Sequence, residues 1–237
     1  MTVMSILWAI AFGICPQRPS HSLFLGGQQM PIEARMAGMF GGFVIGVGYF
    51  VALGRGRAWR TPGMWMSILL VGFLAVMGLD GLNALLFDLR LPHLYPPNLP
   101  LRLGTGLLTG LAGAAFLLPA FNATVWQTGL ERSPLASVRD LVIALTLEAL
   151  YFAAAFSGQS ALLYPVSLIA VLGVPLVIGL TGSIVWVSVS GKTNQAGRLT
   201  QVIAPAVGGL ILAALLLGLM SAVRFALFGL GSMEMPF

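Results

Sequence analysis

Charge is what this chain has least of. Only 8% of its 237 residues are Asp, Glu, Lys or Arg, against roughly a quarter in an ordinary soluble domain. So little charge, with a mean hydropathy of +0.95, does not furnish a water-facing surface, and the composition is that of an integral membrane protein. Cysteine is nearly absent: Cys15 stands alone, which excludes an internal disulfide and a multi-cysteine metal site. The two histidines, His21 and His93, lie far apart without clustered partners and read as surface or capping residues rather than metal ligands. There is no Walker loop, dinucleotide fingerprint, Gly-x-Ser-x-Gly elbow or His-Glu-x-x-His helix. A self-contained hydrolase or nucleotide enzyme is therefore not expected, and the chain reads as non-catalytic. The formal net charge is +5, but the basic residues are scattered singly and lack neighbouring aromatic platforms. They fit loops facing an anionic leaflet, not a nucleic-acid surface.

Long apolar runs are what the chain has in abundance. A spanning helix needs about 20 predominantly apolar residues, and seven segments approach or exceed that length: Met1–Cys15, Ala34–Gly54, Gly63–Phe87, Leu101–Trp126, Leu141–Ser157, Ala161–Val189 and Val202–Leu230. The expected fold is all-α, a polytopic transmembrane bundle of about seven helices forming a single membrane domain over residues 1–237. The first run is short, has no basic n-region and no cleavage site after it, and reads as a retained helix. Pro165, Gly173 and Pro175 predict a kink or break in the sixth. The glycine-rich phrases Gly38–Phe50 and Gly104–Gly113 predict closely packed helices, because small residues let backbones approach where lipid supplies no hydrophobic drive between helices. No internal repeat accompanies them.

With seven alternating helices, Arg55, Arg57, Arg60, Arg132, Arg139, Lys192 and Arg198 share one side, while Arg18, Arg35, Arg90, Arg102 and Arg224 share the other. Positive charges resist translocation, so the expectation is N-terminus in and C-terminus out. The loop 16–33, the end of the third helix, the loop 88–100 and the start of the fourth helix then converge on the extracytoplasmic side. LPHLYPPNLP, Leu91 to Pro100, reads as a stiff, non-helical arch over that face. Asp80 falls about two turns inside the membrane, with Asn83 on the same face, and a carboxylate at that depth costs a few kcal/mol unless paired. Its expected partner is Arg35 or Arg102, either as a staple between helices or as part of a pocket for an anionic or amphipathic ligand. Glu148, near the middle of the fifth helix, has no basic partner nearby in sequence. It reads either as a proton-relay station or as a protonated group hydrogen-bonded across a helix interface, to Ser, Thr or a carbonyl freed at Pro165 or Pro175.

Cys15, Gln17, Pro19, Ser22, Phe24, Gly27, Gln29, Pro31, Ala34, Arg35, Gly38, Gly42 and Phe43 stand, without a gap, where a known signature places equivalent residues. That signature runs C-H-Q-x-P-x-R-S-F, a short spacer, then G-x-Q-x-P-x-C-A-R-C-x-G-x-Y-x-G-F, with Phe24 one residue beyond the first block's Phe. Asp80 followed by Arg102-Leu103-Gly104-Thr105-Gly106 and Gly110 matches its second block. The chain thus resembles the family catalogued as domain of unknown function 2085, small bacterial and archaeal membrane proteins, over roughly residues 10 to 115. Residues 116–237 add nothing diagnostic. The chain departs from the signature where Pro16 replaces the first His, Glu33 and Met36 replace the two later cysteines, and His21 replaces an Arg. A soft-metal set needs more than one thiol, so no metal is expected.

What the resemblance and the topology together imply is a polar cluster of Cys15, Gln17, Gln29, Glu33, Arg35, Asp80, Asn83, Arg102 and Thr105, with Glu148 as a separate intramembrane acid. Two functional expectations follow. One is a non-catalytic subunit or scaffold that packs against partner transmembrane helices and lipids in a larger membrane complex. The other is a small transporter or a lipid- or quinone-binding protein using the extracytoplasmic pocket. The expected location is a prokaryotic cytoplasmic membrane, and no nucleic-acid partner is expected.

Overall fold

The structure, a computed structural model, describes residues 2–229; Met1 and Leu230, at the outer ends of the first and seventh predicted segments, lie outside them. Within that range all seven predicted segments are helical: α1 Val3–Phe12, α2 Ala34–Ala52, α3 Met64–Asp88, α4 Leu99–Val125, α5 Val138–Phe156, α6 Leu163–Val189 and α7 Leu199–Phe228. By length and composition α2, α3, α4, α6 with the turn before it, and α7 can each cross a membrane. The protein is thus a multi-pass integral membrane protein. α1 is only ten residues, about 15 Å at the helical rise, half a typical hydrocarbon core. α5, with Arg139, Asp140 and Glu148 among its nineteen residues, is the least apolar of the longer helices.

Capping chemistry sets two boundaries away from their sequence positions. α5 starts earlier than expected because Ser137 and Asp140 close a capping box: Asp140 N donates to Ser137 Oγ (3.2 Å), and Ser137 N donates to Asp140 Oδ2 (3.0 Å). α4 takes in Leu99 and Pro100, which the proline pattern predicts as part of a non-helical arch. Leu101 N donates to the Asn98 side chain (2.9 Å), and Pro100 in the first turn needs no intrahelical partner for a nitrogen that carries no hydrogen. Of the kink or break expected in α6, the break is absent, since the helix runs continuously through Pro175. Pro165 falls in its first turn, where amide hydrogens go unpaired in any helix.

α2 and α4 form the centre. A Cβ added at Gly42 would fall 2.5 Å from the Leu107 carbonyl oxygen, and one at Gly110 2.5 Å from the Phe43 amide nitrogen; at Gly38 and Gly106 the obstructing atoms are likewise backbone. The i, i+4 glycine spacing therefore sets two backbones in contact. Gly173 brings α6 against the Phe40 carbonyl of α2 in the same way, and Gly209 of α7 meets Gly179 and Ser183 of α6. Only Leu70, Asp80, Asn83 and Ala84 of α3 are buried, so this helix is held at one end largely by polar groups.

Between α1 and α2 the chain departs from a plain polar loop. A short turn, Pro19–His21, leads into an antiparallel hairpin of β1 Ser22–Leu25 and β2 Gln28–Glu33. Gly26 and Gly27, with φ of +57° and +75°, supply the positive-φ pair that a two-residue hairpin turn requires. Leu23, Leu25, Met30 and Ile32 are all buried in the core, while Phe24 is exposed. The segment is thus not a loop above the bundle but a wedge set into it, closing its core at what is called below the hairpin end. At the opposite end Asn122 donates to the carbonyls of Gly56 (3.0 Å) and Ala58 (2.8 Å), Arg55 pairs with Asp140 (2.6 Å), and Arg57 lies 3.9 Å over the Trp126 ring.

Candidate functional site

The hairpin end gathers most of the polar residues singled out from the sequence, in two groups. In the first, both the amide and Nε of Arg18 donate to Glu33 Oε1, at 3.0 and 3.1 Å, which closes the hairpin's base. Glu33 N donates to Cys15 Sγ (3.2 Å), and Gln29 Nε2 donates to the Gln17 carbonyl and to Ser22 Oγ, both at 3.0 Å. His21 Nδ1 lies 3.7 Å from Glu33 Oε2, too far for a hydrogen bond, so Arg18 is the partner that counts. In the second group, Arg35 at the start of α2 meets Asp80 of α3 at 2.5 Å, and Tyr95 Oη donates to the other Asp80 oxygen at 2.8 Å. Asn83 accepts from Leu94 N and donates to the Tyr95 carbonyl, each at 2.8 Å. This ties the 89–98 segment to α3. Arg18 Nη1, 3.7 Å from Asp88, joins the two groups.

Of the two partners expected for Asp80, the geometry selects Arg35. The Arg102 side chain is buried but makes no hydrogen bond or ion pair among the described residues; the charges around it, Arg35 and Asp88 foremost, act on it only through space. Thr105 spends its hydroxyl on the Leu101 carbonyl (2.7 Å). Tyr95 and Asp88 carry no motif, and their place is not legible in sequence.

Burial alone would push the Glu33 carboxyl up, but the groups facing it, His21 and above all Arg18, hold it down to about 2. Because the folded value lies below the ordinary one of about 4.3, the stabilisation is present above that value and is lost as pH falls toward 2. Thermal unfolding followed from pH 7 to pH 3 should therefore show a loss that begins near the ordinary value, at about pH 4.5. Glu33→Gln should lack that component, and an identical pH slope in the variant would contradict the pairing. Burial, and secondarily Glu33, pushes the Cys15 thiol up to about 11. It stays protonated at neutral pH and is a core group, not a nucleophile.

Beside the hairpin is a hollow of about 580 Å³, lined by Trp8, Ala9 and Phe12 of α1, Gln17, Gln29 and Ser221 of α7. Gln17 sits at φ 59°, a conformation that costs a non-glycine residue about 1–2 kcal/mol. Its side-chain amide anchors it there by donating to the carbonyls of Trp8 (3.2 Å) and Pro31 (3.0 Å). Arg224 of α7 closes the neighbouring seam, donating to the carbonyls of Phe12 (2.7 Å), Cys15 and Pro16 (3.0 Å) and lying 4.0 Å over the Phe12 ring.

Glu148 is elsewhere, midway along α5. It is 3% exposed, and neither oxygen has a hydrogen-bond partner among the described residues. The Ser, Thr or freed-carbonyl partner expected for it is not there; Tyr151, one turn on, donates to the Val166 carbonyl instead (3.1 Å).

Residues 15–116 match the family described as "Predicted membrane protein (DUF2085)", so the resemblance read from the sequence holds over the hairpin, α2, α3 and most of α4. An uncharacterized protein of Methanocaldococcus jannaschii is 26% identical over 121 residues, 51% of this chain and 72% of that relative. No solved structure matches the chain. The matched span contains both polar groups at the hairpin end, whereas Glu148 and α5 to α7 lie beyond it.

Proposed function

We propose that this integral membrane protein is non-catalytic and holds an amphipathic lipid at the hairpin end of its bundle. The observation that carries the reading is the hollow where Gln17 and Gln29 border the aromatic side chains of Trp8 and Phe12. Neutral hydrogen-bonding groups beside an aromatic wall suit a molecule with a polar head and an apolar chain. The strained backbone of Gln17 supports it, because such conformations collect at binding sites. The ion pairs nearby support it differently: Glu33 and Asp80 are each engaged by an arginine, so they serve the frame rather than a charged ligand.

Trp8 makes the test direct, since Trp59, Trp65, Trp126 and Trp186 all lie toward the opposite end. Titrating a chain-labelled doxyl lysophosphatidylcholine into the full-length protein in nanodiscs should quench a component of fluorescence that is missing in Trp8→Phe. Ala9→Phe, which fills the hollow, should weaken binding about tenfold, equivalent to ~1.4 kcal/mol. Quenching that saturates identically in Ala9→Phe would sink the reading.

A second reading, a subunit packed against partner transmembrane helices in a larger membrane complex, is favoured by a different observation. Gly38, Gly42, Gly106 and Gly110 are used up where α2 and α4 cross, whereas a Cβ at Gly48 of α2, at Gly72 or Gly78 of α3, or at Gly218 of α7, would meet nothing. Small residues on open faces suit close helix association. Co-purification of another membrane protein in mild detergent, abolished by Gly78→Leu, is its test.

The proposed orientation places the hairpin end outside a prokaryotic cytoplasmic membrane. In its support, the opposite end carries Arg55, Arg57, Arg60, Arg132, Arg139, Lys192 and Arg198, against Arg18, Arg35, Arg90, Arg102 and Arg224 at the hairpin end. The end richer in Lys and Arg is the one that stays in the cytoplasm.

A further inference from the structure

A second hollow, of about 490 Å³, opens sideways between α3 and α5 with α4 as its floor. Pro100 and Leu101, in the first turn of α4, mark its upper mouth; Leu108, Leu145 and Phe152 form apolar walls; Glu148 contributes to its inner side with both carboxyl oxygens covered, so that a ligand reaches them only when the Glu148 side chain turns outward. Glu148 is the eleventh of the nineteen residues of α5, so it sits about 12 Å below that helix's hairpin-end terminus. Its carboxyl head rests against bare backbone: a Cβ added at Gly42 of α2 would come 2.8 Å from Oε1. α2 therefore offers no side chain there to receive it.

A buried polar group without a partner costs about 1–3 kcal/mol; Thr109 and Ser167 also keep unpartnered hydroxyls in the core, but among the described residues Glu148 is the carboxyl with both oxygens unmet, and it borders an open hollow. We infer that the crevice binds a lipid-soluble molecule whose polar part is a neutral carbonyl or hydroxyl, hydrogen-bonded to Glu148. The crevice is separate from the hairpin hollow, and its occupancy does not depend on whether that hollow binds lipid. Three features select the ligand class. The walls are apolar, so the bulk of the ligand is hydrocarbon or ring. The polar contact lies well below the helix ends, so the head is one that leaves the interface, which excludes a phosphate-bearing lipid. The crevice also lacks a polar shell to share a charge: Thr105 already donates to a backbone carbonyl, so an ammonium paired with Glu148 would keep most of its N–H groups unsatisfied. A carbonyl or hydroxyl asks of the carboxyl a single hydrogen bond, which a carboxylic acid can donate and either form can accept.

The experiment uses the full-length protein in phosphatidylcholine nanodiscs with three probes that share a decyl chain: decylbenzoquinone, decylbenzene and decylamine. Binding is read by native mass spectrometry and by the shift in thermal unfolding. The quinone should bind wild type and Glu148→Gln within about threefold of each other, because an amide N–H still donates to a carbonyl. It should bind Glu148→Leu about tenfold more weakly, the worth of one buried hydrogen bond. Gly104→Leu leaves Glu148 untouched and fills the crevice at a point where an added Cβ meets only the Phe152 ring, at 3.8 Å. It should abolish binding even if Glu148→Leu proves too unstable to purify. Decylbenzene bound as tightly as the quinone would show a site for chains alone, and decylamine binding lost in Glu148→Gln would show a cation site. Either result, or no binding of any probe, overturns the inference.

Discussion

Gly110→Leu should leave no folded protein in detergent. A Cβ there falls 2.5 Å from the Phe43 amide nitrogen and closer still to the Met39 carbonyl oxygen, and neither is the tip of a side chain that can turn away. Overpacking a core of side chains costs about 1–3 kcal/mol. Here the obstructing atoms belong to a hydrogen-bonded helix, so relief requires α2 and α4 to separate along their shared length. Such a separation opens the Gly38, Gly42 and Gly106 crossings and unpacks Phe43, Leu103, Leu107 and Leu111 around them. Against a total stability of about 5–15 kcal/mol, that loss is expected to be decisive. The matched control is Gly78→Ala on α3, where an added Cβ meets nothing; it should be neutral or slightly stabilising, as removing a helical glycine usually is. Size-exclusion profiles and unfolding midpoints compare the two. Near-equal midpoints would show that α2 and α4 are not packed backbone to backbone.

The second large effect concerns α3. Asp80→Asn should cost about 3 kcal/mol, the lower end of the penalty for breaking a buried ion pair. The lower end applies because Asp80 is 3% exposed but the Arg35 side chain is 24% exposed, so water relieves part of the unpaired guanidinium. Few apolar residues of α3 are buried, so its hairpin end depends on Asp80 and Asn83 more than on packing. Tyr95→Phe, which removes only the hydroxyl donor to Asp80, should cost about 1 kcal/mol. Combining Asp80→Asn with Arg35→Gln should recover a good part of the first loss, because the double variant leaves no unpaired charge. A double-mutant cycle on thermal stability measures this, and simply additive losses would contradict the pairing. The result also bears on the crevice, because Val76 of α3 is part of its wall. An α3 loosened at Asp80 should widen that wall and weaken quinone binding without any change at Glu148.

Sequence by itself determined the class of fold and the number and approximate span of the helices. Each rests on a local property: an apolar run long enough to cross hydrocarbon, ended by charge, proline or a cap. It also set the close approach of α2 and α4, because glycines four residues apart on two helices have few other uses. The hairpin was legible in principle, since Gly26-Gly27 between SLFL and QQMPIE is a two-residue turn signal, but its polar residues disguised a wedge whose alternate side chains are core. Only the tertiary structure decided that Asp80 takes Arg35 rather than Arg102, that Tyr95 completes the pair, and that Gln17 borders a hollow with Trp8 and Phe12. These depend on the directions of side chains from separate helices at one depth, and helix rotation is set by packing rather than by composition. Glu148 shows the same division: its cost within a membrane follows from sequence, but the absence of any partner on the facing helix depends on Gly42 arriving opposite it, a coincidence of two helices that no local pattern encodes.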